Sequence, residues 1–149
     1  MKTIAAVLLT CFFSFSAKAQ LAEPVKWSFK SEKIGTNNYK VTLTASIEEG
    51  WYVYSQDLPN KGPIPTSIKF EKNPQIIFEG KPVELGNKKE DFDQNFNMTV
   101  TKLSGQTTYS QKIVCTGDAP SVKGALTFMT CNGEMCMPPK QVDFNISLK

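Results

Sequence analysis

The chain has 149 residues, with 17 basic against 14 acidic side chains and a formal net charge of +3. That length is one domain's worth. Every basic residue is a lysine and there is no histidine. Ser-His-Asp and Cys-His catalysis are therefore excluded, as is any zinc site with a histidine ligand. Nucleic-acid binding is not expected either, because there is no basic stripe and no arginine fork.

The N-terminus reads as a secretory signal peptide. Met1-Lys2 is a basic start, Ile4 to Phe15 an apolar run, and Ala17-Lys18-Ala19 a small-x-small cleavage site. Cleavage after Ala19 leaves a single domain over residues 20–149, located in the periplasm or secreted. No later segment is apolar enough to span a bilayer, so no direct membrane insertion of the mature chain is expected.

From Trp27 onward the dominant period is two. Trp27 and Phe29 alternate with lysine and serine, and Gly35-Thr36-Asn37-Asn38 is a turn. Tyr39, Val41, Leu43, Ala45 and Ile47 line one face of a long strand. Glu48-Glu49-Gly50 turns the chain into Trp51-Tyr52-Val53-Tyr54. A loop from Leu58 to Pro65 follows, whose three prolines exclude a central strand. Short strands are expected at Ser67 to Phe70 and Ile76 to Phe78. The polar segment Glu79 to Gln94 reads as a loop. Phe96, Met98 and Val100 resume the alternation, and Ser104-Gly105-Gln106 turns it back into Tyr109 to Cys115. Ala125 to Thr130 and Val142 to Leu148 close the set. No ten-residue stretch carries a helical stripe. The fold class is all-β, an antiparallel β-sandwich. The sequons at Asn97 and Asn145 fall inside expected strands and read as chance matches.

The mature chain keeps Cys115, Cys131 and Cys136. In an oxidising compartment a close pair is expected to form a disulfide. Asn132-Gly133 is a turn dipeptide able to return Cys136 to Cys131. Closing so short a loop restricts the unfolded chain little, by about 2 kcal/mol at most. That small return favours a redox role over a structural one. Pro138-Pro139 removes two N–H donors just after Cys136; it reads either as an edge-strand break or as a rigid wall that keeps Cys136 open to a partner. With no histidine and no helix N-terminus nearby, and with Glu134 inside the loop, nothing obvious favours a thiolate. The expected thiols are therefore reluctant ones, activated by the partner. Cys115 reads as a small buried hydrophobe. A zinc site built on the three cysteines and a carboxylate is the least favoured alternative, and no cofactor is expected.

Thr130-Cys131-Asn132-Gly133-Glu134-Met135-Cys136-Met137-Pro138-Pro139, with Val142-Asp143-Phe144 after it, resembles the active-site end of the N-terminal periplasmic domain of the thiol:disulfide interchange protein DsbD. Gly50-Trp51-Tyr52-Val53-Tyr54-Ser55 resembles the tyrosine strand of that domain, and Glu90-Asp91-Phe92 resembles its cap loop. The resemblance implies an immunoglobulin-like sandwich. It also implies a domain that takes electrons from a membrane thiol transporter and passes them to oxidised, thioredoxin-like periplasmic proteins, including those of cytochrome c biogenesis. Cys136 would then engage the partner and Cys131 resolve the mixed disulfide. Asp91 and Phe92 would form the cap, with Tyr52 and Tyr54 beside the cysteines. Relative to the family, the membrane domain and the C-terminal thioredoxin-like domain are missing from this sequence. The leading expectation is a protein-disulfide reductase or interchange component; the alternative is a secreted β-sandwich binding or scaffold module with a purely structural disulfide.

Overall fold

The alternating pattern folds into antiparallel strands in a computed structural model that describes residues 23–59, 61–118 and 121–149. The leader expected at residues 1–19 lies outside the described residues. Among the described residues there is no helix. The strands are β1 (Val25–Lys33), β2 (Asn38–Ile47), β3 (Tyr52–Tyr54), β4 (Ser67–Phe70), β5 (Ile76–Asp93), β6 (Met98–Cys115), β7 (Ser121–Phe128), β8 (Thr130–Cys131) and β9 (Lys140–Ser147).

They form two sheets. The larger runs β1-β2-β6-β3-β8, with β5 paired to the other edge of β6, and the smaller runs β4-β7-β9. The inner faces meet as the alternation requires. Val41, Leu43, Ala45, Val53, Leu103, Tyr109 and Ile113 come from the large sheet, and Val122, Leu126, Phe128, Phe144 and Ile146 from the small one. Trp27 packs on Tyr109 and Phe128, and Phe70 on Phe78 and Phe144. This is an immunoglobulin-like antiparallel β-sandwich. Cys115 belongs to this main core as a buried free thiol.

Two sequence expectations are overturned. Glu79 to Gln94 is not a loop: nearly all of it belongs to β5, paired with β6 down to Asp93↔Met98. β5 borders only β6 and is solvated along most of its length. An edge strand of that kind needs backbone partners rather than an apolar stripe, and its charged side chains guard against further pairing. Gly80-Lys81-Pro82 sits where the register shifts between Glu79 and Val83. A proline without an N–H and a glycine at φ 66° suit such a bulge. Nor does Ser104-Gly105-Gln106 turn the chain back. It lies within a continuous β6, where Gly105 at φ 66° opposes a second register shift between Leu85 and Asn87.

The two strands β7 and β9 pack tightly at Gly124, which pairs with Phe70 on one side and Phe144 on the other. A methyl group there would lie 2.6 Å from Phe144 Cζ and against the Lys69 carbonyl oxygen. Gly124→Ala is therefore expected to lower stability by about 1–3 kcal/mol through overpacking, read as a lower urea midpoint at unchanged m-value.

Candidate functional site

The site is built where the large sheet ends. β3 is three residues long, yet it pairs on both sides: Val53↔Leu103 and Tyr54↔Lys102 with β6, and Tyr52↔Cys131 and Val53↔Thr130 with β8. Cys131 is thus placed by the sheet. Cys136 returns to it through a tight loop, and the two are cross-strand partners as well as disulfide-bonded, with Cα atoms 4.1 Å apart. The loop closes as the Asn132-Gly133 dipeptide suggests. Asn132 Oδ1 accepts from the N–H groups of Glu134 and Met135, at 3.1 and 2.9 Å, and Gly133 takes φ 92°. Met137 N donates to Thr130 O at 2.9 Å, after which the exposed Pro138 and Pro139 end the pairing.

The two sulfurs have different surroundings. Cys131 is fully buried in a small cluster with Tyr54 and Val100, while Cys136 packs on that cluster from the half-exposed side. Tyr54 OH lies 3.1 Å from Cys131 Sγ and 3.9 Å from Cys136 Sγ. The same hydroxyl donates to Asp93 Oδ2 at 2.8 Å, and Tyr52 OH donates to that oxygen at 3.1 Å. Lys102 Nζ is 3.2 Å from it and 4.5 Å from the centre of the Tyr52 ring. Asn95 N donates to the other carboxylate oxygen at 3.0 Å.

Asp93 is 1% exposed. Burial pushes its carboxyl up, but the hydrogen bond from Tyr54, the Lys102 ammonium and the hydrogen bond from Tyr52 together hold it below the usual carboxylate range. Tyr54 is driven the other way, first by burial and then by the Asp93 carboxylate, so it stays a protonated donor at any ordinary pH.

Cys131, Cys136, Tyr52 and Tyr54 are therefore brought together. Asp91 and Phe92 are not part of that cluster. They end β5 instead of forming a loop. Asp91 pairs with Lys89 at 3.0 Å in solvent, and Phe92 is 53% exposed. Phe92 lies cross-strand from Thr99, on the face opposite the one that carries Asp93 and Met98. The phenylalanine that packs in the cluster is Phe96, in the turn after β5, edge-on to Tyr54 at 5.9 Å. Pro138 and Pro139 line an apolar cleft of about 270 Å³ with Pro24, Val25, Phe128 and Met137.

Three residues escaped the sequence reading: Asp93, Phe96 and Lys102. The signal for Lys102 was its parity, since it continues the inward stripe Met98-Val100 where a further apolar residue would be expected. Asp93 was hidden by the assignment of Glu79 to Gln94 to a loop, and Phe96 was read only as the start of the next strand, whereas it sits in a turn.

Strand pairing and a tyrosine-lined disulfide at the end of one sheet define a β-sandwich domain of the thiol–disulfide class. The chain belongs to the family described as thiol:disulfide interchange protein DsbD, N-terminal, which it matches over residues 18–148. Its fold is similar to the N-terminal periplasmic domain of ScsB from Proteus mirabilis, with a TM-score of 0.58 at 17% identity. That alignment covers 85% of this chain and 47% of the ScsB chain, so the protein spans about half of that relative's length. It is also similar to the Neisseria meningitidis DsbD N-terminal domain in its reduced form, with a TM-score of 0.51 at 21% identity, covering 80% of this chain and 84% of that one. No curated protein gives a sequence match.

A carboxylate held below its ordinary range by folding adds stability above its unfolded-state value and loses it as pH falls through the folded one. The Asp93 contribution is therefore complete at neutral pH and decays below about pH 4. Urea midpoints recorded from neutral pH downward should fall for the wild type, with a shallower acid limb for Asp93→Asn. An unchanged limb would remove Asp93 from the account.

Proposed function

We propose that the Cys131–Cys136 disulfide is a redox carrier outside the cytoplasm, reduced by a membrane thiol transporter and reoxidised by thioredoxin-like proteins. The observation that carries this reading is the asymmetry of the pair: Cys136 is reachable, whereas Cys131 is buried against a tyrosine hydroxyl. Family membership supports it. A structural disulfide needs neither an accessible sulfur nor a polar network on the buried one.

In the reducing direction the donor's thiolate attacks Cys136 Sγ. A donor–Cys136 bond forms, the Cys131–Cys136 bond breaks, and its electron pair stays on Cys131 Sγ. The donor's second thiol then displaces Cys136 and leaves as part of the donor's own disulfide. In the delivering direction Cys136 thiolate attacks the partner's disulfide, and Cys131 resolves the mixed disulfide. Phe96, in the turn that follows Asp91 and Phe92, packs on Tyr54 and is the cap over the Cys131 side that a partner would displace while it engages Cys136. Export by a signal peptide cut after Ala19 and residence in the periplasm belong to the same proposal. Among the described residues no helix is long and apolar enough to cross a membrane.

Cys131→Ala should accumulate mixed disulfides with partners through Cys136, and Cys136→Ala should accumulate several-fold fewer. Diagonal gels of extracytoplasmic extracts read this directly. Equilibration with glutathione buffers should place the pair above about −300 mV, the region below which structural disulfides fall. A lower potential with no trapped partner would identify the bond as a structural staple.

A further inference from the structure

Lys102 is the one charged side chain that β6 directs into this cluster, and its side chain is only 13% exposed. Around Asp93 the facing groups are Tyr52 and Tyr54 from β3, Lys102 from β6, the Asn95 amide from the turn and, beyond Tyr54, Cys131 from β8. On its own strand, Asp91 carries its own counter-ion, Lys89.

Tyr54 has one hydroxyl proton and two acceptors in reach, Asp93 Oδ2 and Cys131 Sγ. In the disulfide state the sulfur is a weak acceptor and the carboxylate takes the proton. When the disulfide is reduced, the electron pair arrives on Cys131 Sγ. That sulfur becomes an anionic acceptor, within two hydrogen-bond lengths of a buried carboxylate. Two negative charges at that separation oppose one another strongly. For Tyr54 to turn its proton to sulfur, Asp93 must remain satisfied by its other donors. Tyr52 and Asn95 offer neutral hydrogen bonds; Lys102 offers the only full positive charge in contact with the carboxylate among the described residues.

We propose that Lys102 is a positioning residue of disulfide exchange: its ammonium group holds and neutralises Asp93, which frees the Tyr54 hydroxyl to stabilise Cys131 as the leaving thiolate. This rests on the redox reading above and deepens it. The chemistry is that of any dithiol reductant. One reductant thiolate bonds to Cys136 while Cys131 leaves with the electron pair and then takes a proton, and the second reductant thiol closes the reductant's disulfide and releases Cys136.

Dithiothreitol as sole reductant tests this without a biological partner. Thus Lys102 can fail while partner trapping succeeds, or the reverse. Lys102→Met is expected to raise the Cys131 thiol by roughly one pKa unit, read by thiolate absorbance against pH in a Cys136→Ala background. It is also expected to slow reduction of the disulfide about threefold, given a Brønsted dependence near one half. Lys102→Arg should restore both. Asp93→Asn combined with Lys102→Met removes both charges and should return to within about twofold of the wild-type rate. That neutral pair also serves if Lys102→Met alone folds poorly. Wild-type thiol titration and rate in Lys102→Met would overturn the proposal, as would a double variant as slow as the single one. A structural role for Lys102 would move the urea midpoint without moving the thiol titration, and would overturn it equally.

Discussion

Three residues hold the reactive end of the molecule to its core. β8 joins the large sheet only through β3, and β3 is only Tyr52–Tyr54. Because pairing in a sheet fixes which side chains share a face, this register determines the site. Tyr52 opposite Cys131 and Tyr54 opposite Lys102 place two phenols, a sulfur and an ammonium group around one carboxylate. A slip of one residue would turn both tyrosines to the other face. Val53, fully buried between Leu103 and Thr130 in that ladder, anchors the register in the main core.

The same geometry gives the two sulfurs different surroundings. A symmetric, exposed disulfide would present either atom to an attacking thiolate. Here Cys131 is inside the sheet with Tyr54 as its neighbour, while Cys136 rides on a loop closed by Asn132 and Gly133. Attack at the half-exposed sulfur sends charge to the buried one, where burial alone would oppose it. In the exchange proposed above, the polar network under Cys131 would meet a charge present only during reaction, with donors already in place.

Much of the sandwich was legible in the sequence. Strand β1 separates core from solvent with clean alternation, and the limits of β1 and β2 follow from turns at Gly35–Asn38 and Glu48–Gly50. The long β5–β6 hairpin was not legible, for a physical reason. Hydrophobic periodicity reports burial, and β5 is a strand with little to bury, so its backbone hydrogen bonds left no trace in its side chains. That single error carried into the site. With Glu79 to Gln94 read as a loop, Asp93 had no assigned face, and the cap fell to Phe92, which is exposed, rather than to Phe96 in the turn beyond. The cysteine loop, by contrast, depends on local turn chemistry, and Asn132-Gly133 reports that directly.

The lysine-only composition gains a local meaning at Lys102. An ammonium group is a compact charge on a flexible stem, and here it lies over the Tyr52 ring while it pairs with Asp93. A buried charge of this kind costs desolvation that an apolar residue at the same place would avoid. Met98 and Val100, its neighbours on the same face, are apolar, so the position itself does not demand a cation. Asp93 does demand one, because an ionised carboxylate that is 1% exposed needs a counter-charge as well as hydrogen bonds. Removing both charges would leave an ordinary packed corner of a sandwich. Keeping both leaves Tyr54, in the exchange proposed above, with a proton it can turn toward Cys131.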